Sequence, residues 1–304
     1  RHHIGYGHGA IYTQKTFELL DRVGWDRAMG LLPWLTLTLT YGTREDTLPY
    51  MRHGLRAIDS ADLEAMARAG DRRDTGWRDD GSRLQGALLD SPEAAIGEAV
   101  DAVLSGAGVG GLLDVVTLAV SDRLLRYDPA TDFDHQTDFG WLDITHGLTY
   151  ARAARWAWDH DPSPATARLA LFTAFLAHDT GRGERWSDRP PHTAAIEPAT
   201  GDLSAAVLDG RVDEATAYAL GGDPVEVGES LVRASLADRS GSFIVAAHVI
   251  KLSQAAREEA AVTRSSLPLA AAARFAAAPR LERFVARNAA EAIDFVRTGT
   301  PPKR

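Results

Sequence analysis

Two polar residues stand among the first six positions of "AAHVIKLSQAA" (246–256): His248 and Lys251. They are three residues apart, so on a helix they share a face. On a helical wheel His248 occupies the middle of an apolar arc made by Ile244, Val245, Leu252 and Ala255, and Lys251 falls inside that arc. A lysine so placed must snorkel out, pair with an acid or lose its charge. As a neutral amine it is a base, a nucleophile, or a captor of carbon dioxide. The resulting carbamate is an anionic oxygen ligand that a neighbouring metal stabilises. The plainer alternative is a lysine that reaches the rim of a helical bundle.

The chain has ten histidines and no cysteine, so a transition-metal site must be built from imidazole and oxygen ligands. His146 lies in "FGWLDITHGLTYARAARWAW", with Leu142, Asp143, Tyr150, Ala153 and Ala157 beside it on the wheel and Arg152 and Arg155 well away from it. It points inward, and Asp143 is placed to orient its ring, as carboxylates do for many metal-bound histidines. A core histidine simply bonded to Asp143 fits the same pattern. His8, in "YGHGAIYTQKTFELL", sits between glycines at a helix start; an exposed turn histidine fits as well. His178 closes a helix that is apolar nearly all round, and His135 stands in the acidic loop "TDFDHQTDFG"; either is a candidate additional ligand. His2 and His3 are further candidate ligands, or the remnant of an affinity tag or of a disordered end, and His53, His160 and His192 read as surface residues. No short metal-binding, nucleophile-elbow, phosphate-loop or dinucleotide motif is present.

The elements that must carry these residues are helices. Alanine, leucine and arginine dominate, and few segments alternate with period two. The pattern predicts helices over 10–20, 25–40, 60–68, 92–104, 112–125, 139–158, 164–178, 214–220, 225–237, 243–261, 267–276 and 280–297. Ser60 and Ser91 are expected as caps, with Pro92 at a first helical position. "TLTLT" (36–40) is assigned to helix although its propensity suits a strand, and "GAGVGG" (106–111) is read as a flexible helix–helix linker. Breaks are expected at 70–83, 128–140 and 179–202. The expected fold is all-α: one large helical domain over 1–304, roughly a dozen helices, with several inward histidines far apart in sequence; an interior metal site is what the resemblance described below adds to it.

The net charge of −9, with no basic stretch, argues against nucleic-acid binding. No uninterrupted apolar run approaches the ~20 residues that span a bilayer. The absence of cysteine fits a cytoplasmic protein and excludes disulfides and thiolate-held clusters. With no starter Met and no signal pattern, residues missing upstream are expected.

Taken together, "GHGAIYTQKTFELLDRVGW", "WLDITHGLTYARAARWAW" and "FIVAAHVIKLSQAAREE" resemble, in order and spacing, signatures of the questin-oxidase-like family, over about residues 5–260. They also resemble bacterial relatives in which such a helical domain precedes a Rieske domain. Members cleave rings of aromatic polyketides by inserting oxygen, and one branch is a non-haem iron dioxygenase with several histidines and a carbamylated lysine at the metal. The resemblance implies His8, His146 and His248 as ligands, with His135 or His178 added, and Lys251 as the carbamate. It implies iron(II), an aromatic or quinone-type substrate and O2. Lacking cysteine, the chain holds no Rieske cluster of its own, so electrons come from a separate reductase or from the substrate. His146, His248 and Lys251 are the residues expected to carry the chemistry, with Trp141 and Tyr150 lining the substrate and Trp156 and Trp186 as further candidates. Two alternatives stay open: a metal-free oxygenase in which His146 or His248 is a general base, and a non-catalytic helical protein that binds a hydrophobic ligand.

Overall fold

A computed structural model describes residues 5–42, 47–49, 51–71, 76–79, 83–89, 94–128, 140–181, 196–237, 242–278 and 283–301. Among them there is no strand. The helices, in chain order, are α1 (His8–Val23), α2 (Ala28–Thr40), α3 (Met51–Ser60), α4 (Leu63–Ala69), α5 (Leu84–Leu89), α6 (Ala95–Ala102), α7 (Gly108–Arg126) and α8 (Trp141–His160). Then come α9 (Pro164–Asp179), α10 (Leu203–Leu208), α11 (Val212–Gly221), α12 (Pro224–Leu236), α13 (Phe243–Thr263), α14 (Leu267–Ala277) and α15 (Arg283–Thr298).

Start signals account for several boundaries. The Ser163 side chain accepts from the Thr166 amide, with Pro164 at the first helical position of α9. Asp202, Asp223 and Ser242 cap α10, α12 and α13 in the same way. "TLTLT" is helical, closing α2. Three short helices, α3, α5 and α10, were not expected from the pattern. Ser60 ends α3, and the cap of α4 is Asp62, whose carboxylate accepts from the Ala65 amide. Ser91 and Pro92 lie outside the described residues, as do most of the expected breaks. "GAGVGG" does join two helices, as a buried kink rather than a flexible linker: Gly106, at φ 127°, and Gly108, at φ 66°, break the helical path between α6 and α7, and Gly108–Gly111 are buried.

The interior is built from α7, α8, α13 and α14. Helix α8 packs against α7, α9, α13 and α1, while α14 packs against α7, α11 and α13. Small residues set the spacing. A Cβ on Gly147 would stand 2.8 Å from Val120, so glycine is what lets α8 lie this close to α7. The continuous stretch from Ala95 to Arg126 is long and apolar enough to cross a membrane, but most of it is buried inside the bundle, where the same apolarity serves the core. One buried cation closes the ends of two helices: Arg123 of α7 donates to the Ala177 carbonyl near the end of α9 and to the Leu89 carbonyl of α5 at 2.9 Å.

Contacts along the chain give the direction of three helices. His8 and Phe17 of α1 meet His146 and Trp156 of α8, in that order. His146, Arg152 and Arg155 of α8 meet His248, Glu258 and Glu259 of α13, again in order. So α1, α8 and α13 run parallel, with their N-terminal ends together.

Gly147→Ala is expected to destabilise the fold by about 1–3 kcal/mol through overpacking. Gly97→Ala in α6, where an added Cβ meets nothing within 4 Å, is expected to be neutral or stabilising by up to ~1 kcal/mol. Urea denaturation of the two variants checks the contrast.

Candidate metal centre

His146 and His248 each occupy the sixth position of their helices, and His8 the first position of its own. Because the three helices start at the same end of the bundle, the three imidazoles converge. Each ring uses Nε2 toward the others. His146 Nε2 lies 2.9 Å from His8 Nε2 and 3.1 Å from His248 Nε2. One nitrogen from each of the three residues lies within 4.8 Å of the others.

The opposite ring nitrogens decide the protonation. Nδ1 of His146 bonds the Leu142 carbonyl, and Nδ1 of His248 bonds the Ile244 carbonyl at 2.7 Å. A carbonyl oxygen only accepts, so in both rings Nδ1 carries the hydrogen. In the neutral ring Nε2 is then a bare lone pair. Two such lone pairs face each other at 3.1 Å with no hydrogen between them. That contact is repulsive unless a cation lies at its mouth. Two imidazoles bound to one ion at about 2.0–2.1 Å, at angles of roughly 90–110°, hold their nitrogens about 2.8–3.4 Å apart. The observed separations fall in that range, and a backbone carbonyl on Nδ1 is the usual companion of a ligating imidazole. The residues fit a metal ion.

Glycine makes the arrangement possible at His8. Gly7 has φ +78°, and a Cβ there would lie 2.4 Å from the Tyr150 ring. The turn preceding α1 therefore settles directly on Tyr150, which brings His8 to His146. Tyr12 stacks on the other side of His8, with centroids 5.5 Å apart.

Burial keeps the imidazoles neutral. It lowers the His8 and His248 pKa values to about 4, with the Lys251 charge adding to the shift. His146, the most deeply placed, is pushed well below its ordinary value by burial, then by Lys251 and by the other two histidines. Lys251 is lowered to about 7, again by burial. The Lys251 charge acts on all three histidines.

The other expected site residues are placed differently. Asp143 does not orient His146; its carboxylate accepts from the Gly140 amide at 2.8 Å and caps α8. His178 ends α9 and is not in the three-histidine group. His135 and Trp186 lie outside the described residues. Trp141 is buried in an aromatic cluster with Tyr127 and Phe275, at centroid distances of 4.5 and 5.7 Å, and serves as core. Trp156 packs against Phe17 and His160. What the sequence reading did not include is charge in the core: Arg155, placed well away from His146 on the wheel, is fully buried and bound to Glu259. An arginine and a glutamate at corresponding depths of two site-bearing helices was the signal available.

The depressed pKa values have a definite sign. In metal-free protein the unfolded chain takes up protons on histidine near pH 6.5, whereas folded His8 and His248 resist until about pH 4. Their contribution to stability is therefore present above pH 6.5 and lost as pH falls toward 4. After chelation, the melting temperature is expected to rise between pH 4.5 and 6.5, and the slope to flatten in a His8→Gln/His248→Gln double variant. An equal slope in both proteins would contradict the assignment. Compared with family models, curated proteins and solved structures, the chain matches none of them.

Proposed function

We propose that the chain is a metal-dependent oxygenase, with His8, His146 and His248 holding an iron(II) ion and Lys251 completing the ligand set as a carbamate. The observation that carries this reading is the facing of bare Nε2 lone pairs at 3.1 Å, fixed by Nδ1–H bonds to backbone carbonyls. A general base, by contrast, needs a ring nitrogen open to substrate, and His146 Nε2 is closed in by two other imidazoles. Iron and an aromatic, quinone-type substrate come from the resemblance to questin-oxidase-like proteins, since imidazole ligands also suit zinc, copper and nickel.

The bound ion supplies the redox chemistry with dioxygen. The chain supplies the rest. Three neutral imidazoles bring no charge of their own. Lys251, neutral above about pH 7, attacks the carbon of carbon dioxide through Nζ and releases a proton, leaving an anionic carbamate. This replaces a cation that opposes metal binding with an anion that favours it. Three parallel helices present their N-terminal ends here, and their partial positive charges favour an anionic ligand or substrate. A hydroquinone-type ring that gives up all four electrons needs no reductase; any other substrate draws on a separate one. The chain is acidic, and nucleic acid is no part of this reading.

Protein purified without a histidine tag is expected to carry about one iron per chain, bound by three imidazoles as in other histidine metal sites. His146→Ala and His248→Ala should each lose the metal and the substrate-dependent consumption of oxygen. Native mass measurement should exceed the sequence mass by one metal and one carbon dioxide. In Lys251→Ala the extra carbon dioxide should vanish and oxygen consumption fall; unchanged metal content and activity in that variant would remove the lysine from the site. A wild-type protein that takes up no divalent metal would overturn the reading as a whole.

A further inference from the structure

The seam between α8 and α13 contains more charge than a core requires. Arg155 and Glu259 have side-chain exposures of 0% each. Arg155 Nε donates to Glu259 Oε1 at 3.0 Å and to Oε2 at 3.1 Å, and Nη2 donates to Oε2 at 2.9 Å. The guanidinium also pairs with Asp114 of α7 at 2.8 Å and reaches the Gly110 carbonyl at 3.4 Å. Thr117 of α7 donates to Glu259 Oε2 at 2.9 Å. Taking two such ions out of water is costly, and a well-packed apolar pair of similar volume is often no less stable. Stability alone therefore does not account for them. Fixing the register of packed helices is the best-attested use of a buried polar group.

Apart from its ion pairs, this seam has little to fix register. The buried residues flanking the ion pair are largely alanine: Ala151, Ala153 and Ala154 on α8, and Ala255, Ala256 and Ala260 on α13. Alanine surfaces allow close approach but interlock shallowly. A slip of one residue moves a helix about 1.5 Å along its axis, half of the 3.1 Å between the His146 and His248 rings. The neighbouring Glu258 repeats the arrangement nearer the rim. It binds Arg152 of α8 and accepts from Gln254, and the Lys15 charge of α1 also acts on it.

We propose that Glu259, acting through Arg155, is the positioning residue that sets the register of α8 against α13 and so the spacing of His146 and His248. The proposal rests on the reading of the three histidines as metal ligands. Arg155 lies nine residues beyond His146, and Glu259 eleven beyond His248, about 13–17 Å along the helices. The ion pair touches no ligand and acts only through the rigidity of two parallel helices.

The test uses an Arg155→Met/Glu259→Leu double variant, which removes both charges at similar volume, and an Arg274→Met control. Arg274 is also buried and paired, with Asp213 at 3.2 Å, but its helix carries no histidine of the site. Cobalt(II) is titrated into each folded protein and followed by its visible absorption. The double variant should melt close to wild type yet bind cobalt at least ~10-fold more weakly, the loss typical when support behind a ligand is removed, with an altered spectrum. The control should keep the wild-type affinity and spectrum even if it melts lower. Wild-type affinity in the double variant would overturn the proposal, as would an equal affinity loss in the control. Should the double variant not fold, Arg155→Lys takes its place, keeping the charge but losing the forked contact, with the same weakening expected. If wild-type protein binds no cobalt, the ligand reading has failed. The positioning proposal is then decided in metal-free protein by the NMR contact between the His146 and His248 ring protons. Loss of that contact in the double variant but not in the control supports it, and retention in both overturns it.

Discussion

The close approach of three imidazole Nε2 atoms is the constraint on which the rest of the structure turns. The bare lone pairs of His146 and His248 do not face each other at 3.1 Å unaided. The fold holds them there with covalent stiffness and hydrogen bonds. Each of His146 and His248 is locked to the carbonyl one turn back in its own helix, so its ring cannot rotate away without breaking a buried bond. Each helix is in turn locked to its neighbour. Without a cation the cluster stores repulsion, and the depressed pKa values express the same fact from the side of the proton, which burial makes an unwelcome substitute.

The surrounding core shows how this is achieved. Alanine and glycine let α7, α8, α13 and α14 pack closely, and close packing carries imidazoles from distant parts of the chain to one point. The same small residues give little positional information along the helices. Polar groups restore it: Arg155, Glu259, Asp114 and Thr117 in the interior, and Arg152 and Glu258 toward the rim. Arg123 does related work elsewhere, joining the ends of α5 and α9. Each buried cation sits where backbone or carboxylate oxygens converge, so the desolvation cost is met by several bonds at once.

Much of this was legible in the sequence, in a specific sense. The helical periodicity is strong enough to place most long helices and to turn His146, His248 and Lys251 inward. A wheel shows which side of one helix is apolar; it does not show which helices meet. That is why Asp143, one turn from His146 on the wheel, looked like its partner although its carboxylate is held by the Gly140 amide. It is also why the apolar helix that carries His178 near its end made that residue a candidate ligand, although it is not in the three-histidine group. The role of Arg155 was not legible because a single helix gives no sign of a carboxylate waiting on another. The short helices α5 and α10 escaped because six residues hold too few turns for a periodic signal, whereas α3 does carry one, with Met51, Gly54 and Ile58 on its buried side.

Lys251 ties the local chemistry to the global arrangement. Its amine lies three residues beyond His248, one turn along the same helix, and its charge acts on all three imidazoles. A cation beside a would-be metal site is a conflict if it stays a cation. Burial resolves the conflict by lowering the lysine to about 7, where the neutral amine becomes the accessible form. No acidic side chain is in the three-histidine group among the described residues. On the proposed reading, a site built from neutral imidazoles would lack negative charge to balance a divalent ion, and Lys251, as a carbamate, would supply it. The oddity of an amine on an apolar helix face would then follow from building a charged centre out of uncharged ligands inside an alanine-rich core.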